Sequence, residues 1–284
     1  MKIKYLITGA SCQLAKEFIH QLKKKKSRIL ALTRQDCDIS DRGQVFDVIR
    51  KYQPDIILNC AAYNNVDKAE KEYERALAVN AKGVKTLCHA GKISKALIVH
   101  FSTDAVFDGT KNGLYTERDK ANPVNKYARS KWMGEKYLKG SCRKYLLIRT
   151  SWVFGEGKQN FLYKLKTWSK GKKVIKVSSD QVSIPSYTED IAKYTLLAIK
   201  KGLRGLYHLC NSGYASRSDL ARYYYEKRGD DKLIIPVASD YFAQYVKRPQ
   251  FSPMSNERIS KALKVSIPDW KDAVDRYIKR FKGI

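Results

Sequence analysis

The stretch Lys2-Ile-Lys-Tyr-Leu-Ile-Thr-Gly-Ala-Ser-Cys-Gln-Leu-Ala15 decides the fold. Its first seven residues form a mostly apolar run that predicts a short buried strand. Gly9 supplies a turn, and a helical pattern follows to about Leu22. Strand, glycine turn and helix form the setting in which the pyrophosphate of a dinucleotide lies on a helix N-terminus. The start of the chain therefore predicts a dinucleotide-binding βα unit.

The alternation of strand and helix continues through the first 150 residues. The pattern predicts strands at 28–33, 55–59, 96–101 and 145–150, and helices at about 41–51, 73–91 and 126–138. Regular βα alternation is typical of a parallel, doubly wound sheet. We therefore expect an α/β fold of the Rossmann type, with residues 1–150 as the dinucleotide-binding domain.

The regular alternation of strand and helix ends after Thr150. The pattern there predicts a helix after Gln159-Asn-Phe161, a strand at 173–177, helices at 188–200 and 216–227, a strand at 232–237 and a helix from about Trp270. Residues 205–210 form another buried strand, and we expect roughly 186–210 to return to the main sheet. No repeat or low-complexity linker interrupts the chain. We therefore expect a smaller, interleaved substrate-binding domain at 151–185 and 211–284.

The composition limits the classes of function. With 284 residues, 43% of them hydrophobic, the chain can bury a sizeable core. Its net charge of +28 fits nucleic-acid binding, attraction of anionic ligands, or solvated lysine faces. The basic residues are spread along the chain without a nucleic-acid motif. We therefore expect no nucleic-acid partner and interpret the charge mainly as solvated surface, with attraction of anionic substrates second.

The six cysteines indicate a compartment rather than a metal site. They stand at positions 12, 37, 60, 88, 142 and 210, without a CxxC pair or zinc-type spacing. We expect no metal and a reduced, cytoplasmic location. The chain starts as a strand and turn rather than as a signal peptide, and no apolar stretch reaches the length of a membrane span. We therefore expect no membrane partner, and the sequence leaves the assembly open, with a homodimer as one option.

Tyr127-Ala-Arg-Ser-Lys131 is the stretch that carries chemistry. A tyrosine and a lysine four residues apart lie on one face of a helix. A cation beside a phenol lowers its pKa from about 10 towards neutrality, and the phenol can then donate and accept a proton. Thr103 ends a predicted buried strand, where its hydroxyl would face the same reacting atom. The spacing alone is weak, because most isolated instances are a tyrosine packed along a lysine stem.

Several further motifs, in the same order and spacing, resemble one known family. They are Asn59-Cys-Ala-Ala-Tyr63, Val66-Asp-Lys-Ala-Glu70, Val79-Asn80, Ser102-Thr-Asp-Ala-Val-Phe-Asp-Gly109, Arg149-Thr-Ser-Trp-Val-Phe-Gly155, Asp180-Gln181, Pro185 and Lys247-Arg-Pro249. With Tyr127 and Lys131 they resemble dTDP-4-dehydrorhamnose reductase, an extended short-chain dehydrogenase/reductase. The resemblance runs essentially from end to end.

The resemblance implies an activity and roles for three residues. It implies that NADPH or NADH reduces the C4 ketone of a dTDP-4-keto-6-deoxyhexose, in the biosynthesis of cell-surface polysaccharide. Tyr127 would protonate the ketone oxygen, and Thr103 would donate a hydrogen bond to it as charge develops. Lys131 would lower the pKa of Tyr127 and bind the nicotinamide ribose.

The resemblance also implies two sets of binding residues. The cofactor contacts or supports are, by position, Gly9, Cys12, Gln13, Leu14, Arg34, Asp38, Ile39, Ala61, Ala62, Tyr63 and Asn80, together with Tyr127 and Lys131. The substrate contacts are Asn64, Asp104, Trp152 and Arg248. Arg34 follows the second strand, where a basic residue accepts a 2′-phosphate. Surface charge for Arg34, core packing for Trp152 and a bracing role for Asp104 remain alternatives.

The sequence departs from the family pattern at the cofactor loop and near the sugar. The family has glycine at three positions of the first turn, and this chain has Gly9, Cys12 and Ala15 at those positions. A small Ala15 is tolerable, whereas a Cβ and sulfur at Cys12 would crowd the pyrophosphate unless the thiol rotates aside. Ala105 replaces a tyrosine, and Asn64 replaces a threonine.

These departures keep a second class of function open. The alternative to an active reductase is a regulatory protein that binds NADP or a nucleotide sugar through the same fold, with little or no turnover. An epimerase is a further option, which the carboxy-terminal motifs disfavour. Tight NADPH binding without turnover on any dTDP-4-keto sugar would favour the regulatory protein.

Overall fold

A six-stranded parallel sheet organises the chain in the computed structural model, which describes residues 2–242 and 246–281. The strands of the fold are β1 (Lys4–Thr8), β2 (Arg28–Leu32), β3 (Ile56–Asn59), β4 (Leu97–Thr103), β5 (Tyr145–Thr150), β6 (Val153–Phe154), β7 (Val174–Ser178), β8 (Val182–Ser183), β9 (Ser186–Tyr187), β10 (Gly205–His208), β11 (Ala215–Ser216) and β12 (Leu233–Val237). The main sheet has the order β10-β5-β4-β3-β1-β2. This order confirms the predicted doubly wound α/β fold.

Helices cover both faces of this sheet and build the C-terminal part. They are α1 (Gln13–Lys24), α2 (Arg42–Tyr52), α3 (Val66–Lys71), α4 (Tyr73–Leu77), α5 (Gly83–Gly91), α6 (Lys126–Ser141), α7 (Phe161–Trp168), α8 (Thr188–Lys200), α9 (Arg217–Arg228), α10 (Glu257–Leu263) and α11 (Trp270–Arg280). Among the residues that the structure describes, no helix combines the length and apolar character that a membrane span requires.

The strands are apolar on both faces because helices cover the sheet from both sides. Side chains alternate along a strand. Tyr5 and Ile7 on β1 therefore enter a core with Phe18 of α1, while Leu6 enters the opposite core with Leu87 of α5. This double burial explains why the strands appear in the sequence as short continuous apolar runs.

The expected helix at 73–91 contains an irregularity at its centre. Residues Ala78–Lys82 form one π-helical turn between α4 and α5. This turn brings the Asn80 carbonyl oxygen so close to Gly134 on α6 that a Cβ at Gly134 would overlap it. The helix that carries Tyr127 and Lys131 is thereby packed tightly against the π-helical turn.

The C-terminal part has its own apolar core and three small sheets. β7 pairs with β12 and β6 with β9 in parallel, and β8 pairs with β11 in an antiparallel direction. Its core includes Phe154, Tyr187, Tyr224 and Tyr277. The strand expected at 205–210 ends at His208 and pairs with β5 in the main sheet. The sequence did not predict α10 or the two-residue strands.

Candidate active site

The carboxyl ends of β1, β3 and β4 meet the N-terminal half of α6 around one cleft of about 720 Å³. Parallel strands bring their carboxyl ends to one edge, and ligands bind there in open α/β sheets. Among the residues that line it are Cys12, Gln13, Leu14, Cys60, Ala61, Ala62, Asn64, Thr103, Tyr127, Lys131, Trp152 and Arg248. The structure therefore brings the three predicted catalytic residues together with part of the predicted cofactor set.

Lys131 is buried behind this cleft. Its side chain is 3% exposed, and its Nζ donates a 2.6 Å hydrogen bond to the Phe101 carbonyl oxygen on β4. Burial lowers the pKa of Lys131 to about 8, while the charge of Glu135 opposes that change. Lys131 therefore stays mostly cationic at pH 7, at a position fixed by the β4 backbone.

Tyr127 has a pKa above its ordinary value, against the expectation from the sequence. Burial raises the pKa of Tyr127, the charge of Asp104 raises it further, and a hydrogen bond with Thr103 lowers it. The expected lowering by Lys131 is wrong for this structure because desolvation of the phenolate is the largest effect. Tyr127 is consequently a protonated phenol at neutral pH, which is the form that a proton donor requires.

Thr103 and Asp104 form a hydrogen-bonded unit at the end of β4. The Thr103 hydroxyl accepts from the Ala105 N–H at 3.1 Å and donates to Asp104 Oδ1 at 3.0 Å. Asp104 Oδ2 accepts from Ser183 Oγ at 2.6 Å and from Ser252 Oγ at 2.7 Å. Asp104 is 6% exposed, and burial raises its pKa. The structure thus places Asp104 as a brace behind the cleft and not among its lining residues.

The turn after β1 is shaped by Gly9 and Cys12. Gly9 has a φ of +69°, and a Cβ there would lie 2.7 Å from the Ala61 Cα, so only glycine fits. Cys12 is the N-cap of α1, and its sulfur accepts from the Ala15 N–H at 3.4 Å. The Cys12 thiol also donates to the Cys60 carbonyl oxygen at 3.6 Å. The thiol is therefore rotated back onto α1 and the end of β3.

Other predicted cofactor residues lie outside the cleft lining. Asn80 is 1% exposed and braces Tyr63, accepting from its N–H at 2.8 Å and donating to its carbonyl oxygen at 3.0 Å. Ile39 is buried in the core beside Gly83. Arg34 is exposed, and its Nε donates to Asp38 Oδ2 at 2.9 Å. Asn80 and Ile39 thus act as supports in this structure, and Arg34 and Asp38 form a surface ion pair.

A larger cavity of about 1280 Å³ adjoins the cleft. Trp152 and Arg248 line both spaces. Trp152 has a φ of +36°, in the left-handed region that a bulky residue rarely adopts. Such strain persists only where the surroundings impose it, and it clusters at ligand sites. Arg248 donates to Asp67 Oδ1 at 2.9 Å, so the cavity wall joins the C-terminal segment to α3.

Arg217 is a residue of this cavity that the sequence did not predict. Its guanidinium lies 3.9 Å from the centre of the Trp152 ring and 4.8 Å from that of Phe161. Burial, and then the charge of Arg248, lower the pKa of Arg217 to about 10, so it remains cationic at pH 7. Its only local signal was its place after the helix cap Ser216, which does not distinguish it from a surface arginine.

The described residues 2–242 and 246–281 contain no group of three or more His, Cys, Asp or Glu side chains that could hold a metal ion.

Comparison with known proteins places these features in a family. The family model of the RmlD substrate binding domain matches residues 1–282. The chain is 35% identical over 290 residues to the dTDP-4-dehydrorhamnose reductase of Mycolicibacterium smegmatis, with 100% of this chain and 87% of that protein covered. It is 33% identical over 276 residues to the spore coat polysaccharide biosynthesis protein SpsK of Bacillus subtilis, with 97% of each covered. The crystal structure of the dTDP-4-dehydrorhamnose reductase of Bacillus anthracis in complex with NADP has a TM-score of 0.95 at 31% identity, covering 99% of this chain and 100% of that one.

Proposed function

The chain belongs to the dTDP-4-dehydrorhamnose reductase family, and from this we propose that it reduces the C4 ketone of a dTDP-4-keto-6-deoxyhexose with NADPH or NADH. It is an NAD(P)H-dependent oxidoreductase of nucleotide-sugar metabolism. The observation that carries the proposal is the meeting of Thr103, Tyr127 and Lys131 in one cleft with the βα turn at 12–14. The regulatory alternative is not favoured, because the reacting groups are all present and placed together.

The residues of the cleft fit a dinucleotide. The Gly9 turn lies directly against Ala61, and the first turn of α1 carries no acidic side chain, so a pyrophosphate is not repelled there. The backbone N–H groups of Gln13 and Leu14 would hold the pyrophosphate, since that of Cys12 already donates to the Gly9 carbonyl oxygen at 2.9 Å, and Lys131 would hold the nicotinamide ribose. When bound, the dinucleotide supplies the hydride. Arg34 donates to Asp38 through Nε, and its Nη groups could bind a 2′-phosphate from the same position, so both NADPH and NADH are candidates.

Tyr127 is the proton donor in this proposal. Its protonated phenol would give the proton to the ketone oxygen as the C4 carbon is reduced. Lys131 would stabilise the phenolate that remains, since a cation nearby favours the charged form. Thr103 already donates its proton to Asp104, so its hydroxyl has to turn away from Asp104 to donate to the substrate. Asp104 is accordingly proposed as a positioning residue rather than a sugar contact.

The larger cavity suits the nucleoside diphosphate of the substrate. Its lining contains six basic residues against three acidic ones: Lys68, Lys71, Lys164, Lys176, Arg217 and Arg248 against Asp67, Glu70 and Glu72. A net positive, partly buried surface favours a diphosphate. We propose that Arg217 binds it, held in place by stacking on Trp152, and that Arg248 and Asn64 lie nearer the sugar.

The domain organisation, the location and the assembly are further parts of the proposal. We propose that residues 151–185 and 211–284 form the substrate-binding domain, which is supported by the separate apolar core that many of them build. The part 259–267 differs, because Ile259, Leu263 and Ile267 pack into the core of the main sheet. A cytoplasmic location fits the six free cysteines. The lack of a nucleic-acid partner fits the spread of the basic residues along the chain, and we also propose a homodimer without a membrane partner. Size measurement in solution and salt-dependent retention on duplex DNA test the last two points.

The test is oxidation of NADPH in the presence of a dTDP-4-keto-6-deoxy sugar generated in situ. We expect turnover, and we expect Tyr127→Phe to lower kcat by about 10²–10⁴-fold with an unchanged dissociation constant for NADPH. Tyr137→Phe is the matched control, because it removes a phenol hydroxyl from the same helix, and it should keep the wild-type rate. An unchanged rate in Tyr127→Phe would remove the donor assignment, and NADPH binding without any turnover would establish the regulatory protein instead.

A further inference from the structure

Two cysteines, Cys12 and Cys60, meet in the lining of the dinucleotide cleft, where the Cys12 thiol contacts the Cys60 backbone. Cys12 caps α1 and Cys60 follows β3, and both line the cleft. We propose that Cys12 and Cys60 are a thiol modification site, which hydrogen peroxide converts into a reversible disulfide that prevents dinucleotide binding. The effect on binding depends on the function proposed above, whereas the disulfide itself does not.

The backbone places these two residues close enough to be linked. A Cβ at Gly9 would lie 2.7 Å from the Ala61 Cα and 2.9 Å from the Cys60 carbonyl carbon, so the first turn packs directly on the end of β3. The Cys12 thiol donates to the Cys60 carbonyl oxygen at 3.6 Å, and the sulfur of Cys12 packs on the apolar cluster that contains Cys60. A disulfide requires an S–S distance of about 2 Å and Cα atoms about 4.4–6.8 Å apart. The link therefore requires the Cys12 side chain to rotate from the Cys60 carbonyl oxygen towards the Cys60 sulfur.

The two thiols differ in the way that an attacking and a resolving cysteine differ. Cys12 is half-buried at a helix N-terminus, and a hydrogen bond from the Cys60 thiol lowers its pKa to about 7. About half of it is therefore thiolate at neutral pH, the form that reacts with peroxide. Cys60 is 8% exposed, and burial raises its pKa, so it keeps its proton until Cys12 has reacted.

The chemistry balances with one peroxide for two thiols. The Cys12 thiolate attacks one oxygen of hydrogen peroxide, the O–O bond breaks, and hydroxide leaves to take up a proton as water. The Cys60 sulfur then attacks the sulfur of the resulting sulfenic acid, the S–S bond forms, the S–O bond breaks, and a second water carries away the Cys60 proton. The two sulfurs together lose two electrons, and the peroxide gains them.

The consequence for binding follows from the position of Cys12. This residue lies in the turn whose backbone N–H groups would hold the pyrophosphate. A bond from its sulfur to Cys60 fixes the start of α1 against β3 and places two linked sulfurs in the cleft wall. Conversely, a bound dinucleotide covers Cys12 and shields it from peroxide.

A second thiol pair provides an internal control. Cys88 on α5 and Cys142 after α6 are a second pair of interacting thiols, since Cys142 raises the pKa of Cys88 and Cys88 lowers that of Cys142, and neither lines the dinucleotide cleft. Cys142 is half-buried, and its Sγ donates to the Lys144 carbonyl oxygen at 3.2 Å. Cys142→Ser therefore removes the competing pair at a place far from the cofactor, and it serves as the reference protein.

The experiment treats the full-length Cys142→Ser protein with hydrogen peroxide, with and without saturating NADPH. We expect an intact mass that has lost two hydrogens, and a non-reduced peptide map that links Cys12 to Cys60. The dissociation constant for NADPH should rise by about tenfold or more, and dithiothreitol should restore it. Saturating NADPH should slow formation of the link by about tenfold.

Variants and alternative outcomes separate this proposal from the proposed function. Cys60→Ser in the same background should gain oxygen at Cys12 and form no link. Oxygen addition at Cys12 without a link in the reference protein, or a linked protein that keeps its NADPH affinity, would overturn the proposal. A link in a protein that binds no NADPH even when reduced would support the disulfide and count against the proposed function.

Discussion

Replacing Glu135 by glutamine removes the negative charge from a buried ion pair beneath the active site. Glu135 on α6 accepts from Arg149 Nε at 2.8 Å and from Arg149 Nη2 at 2.7 Å. The two side chains are 1% and 3% exposed. The Arg149 guanidinium also packs on the ring of Phe107, whose centre is 5.1 Å away. Without the carboxylate, a guanidinium is left in the core with no compensating charge from Glu135.

The geometry sets the size of the effect. Removing one partner of a buried ion pair lowers the free energy of unfolding by about 3–5 kcal/mol. The glutamine oxygen keeps one acceptor for Arg149, so we expect the lower end, about 3 kcal/mol. For a chain of this size that corresponds to a fall in Tm of about 6–12 °C.

Urea and thermal unfolding at pH 7, followed by circular dichroism, measure this change. Lys139→Ala is the matched control, because Lys139 pairs with the same carboxylate at 3.9 Å from an exposed position. Such a pair contributes at most about 1 kcal/mol. Replacing both buried partners, Glu135→Leu with Arg149→Met, should recover much of the loss. A Glu135→Gln protein within about 1 kcal/mol of the wild type, or a double variant no better than the single one, would refute the reasoning.

Two further predictions concern groups in the cleft. Lys131→Met should abolish turnover yet raise the free energy of unfolding at pH 7 by about 1–3 kcal/mol, because a buried cation is removed. Burial lowers the pKa of Lys131 from 10.5 to about 8. The gain in stability should therefore be full below pH 8 and disappear between pH 8 and pH 10.5. A gain that is constant with pH would contradict this explanation. Cys12→Gly should tighten NADPH binding mainly above about pH 7, because the neutral thiol is rotated back onto α1 and only the thiolate would repel the pyrophosphate. In the wild type the affinity for NADPH should fall as the pH rises through about 7, because Cys12 becomes a thiolate that repels the pyrophosphate. A Cys12→Gly protein with the same pH dependence would exclude the Cys12 thiolate as the cause.

Local signals made the fold predictable from the sequence. The apolar run before Gly9, the helical spacing after it and the repetition of this pattern are all contained within about 25 residues of chain. Tyr127 and Lys131 are four residues apart on one helix, so their shared face also follows from sequence. The short α10 escaped prediction because its cap Asn256 makes no side-chain capping bond, and its pattern is only seven residues long.

The parts of the site that escaped prediction depend on distant contacts. Asp104 meets Ser183 and Ser252, which lie 79 and 148 residues away. The direction of the Tyr127 pKa depends on burial, which no spacing reports. The contact of Cys12 with Cys60 spans 48 residues and carries no motif. In each case the fold creates the partner, and the sequence near the residue contains no trace of it.

The bonds to Asp104 have a consequence for the order in which the protein matures on the ribosome. Thr103, Tyr127 and Lys131 have all been synthesised once translation reaches residue 131. The second serine that donates to the Asp104 carboxylate is Ser252, which is made much later. Until that segment emerges, Asp104 Oδ2 has Ser183 but lacks its second serine donor, while the bonds of Thr103 to Asp104 and Ala105 are local and can form earlier. The nascent chain can therefore complete the sheet once β10 has emerged, and the brace behind the reaction site is completed only by the later segment.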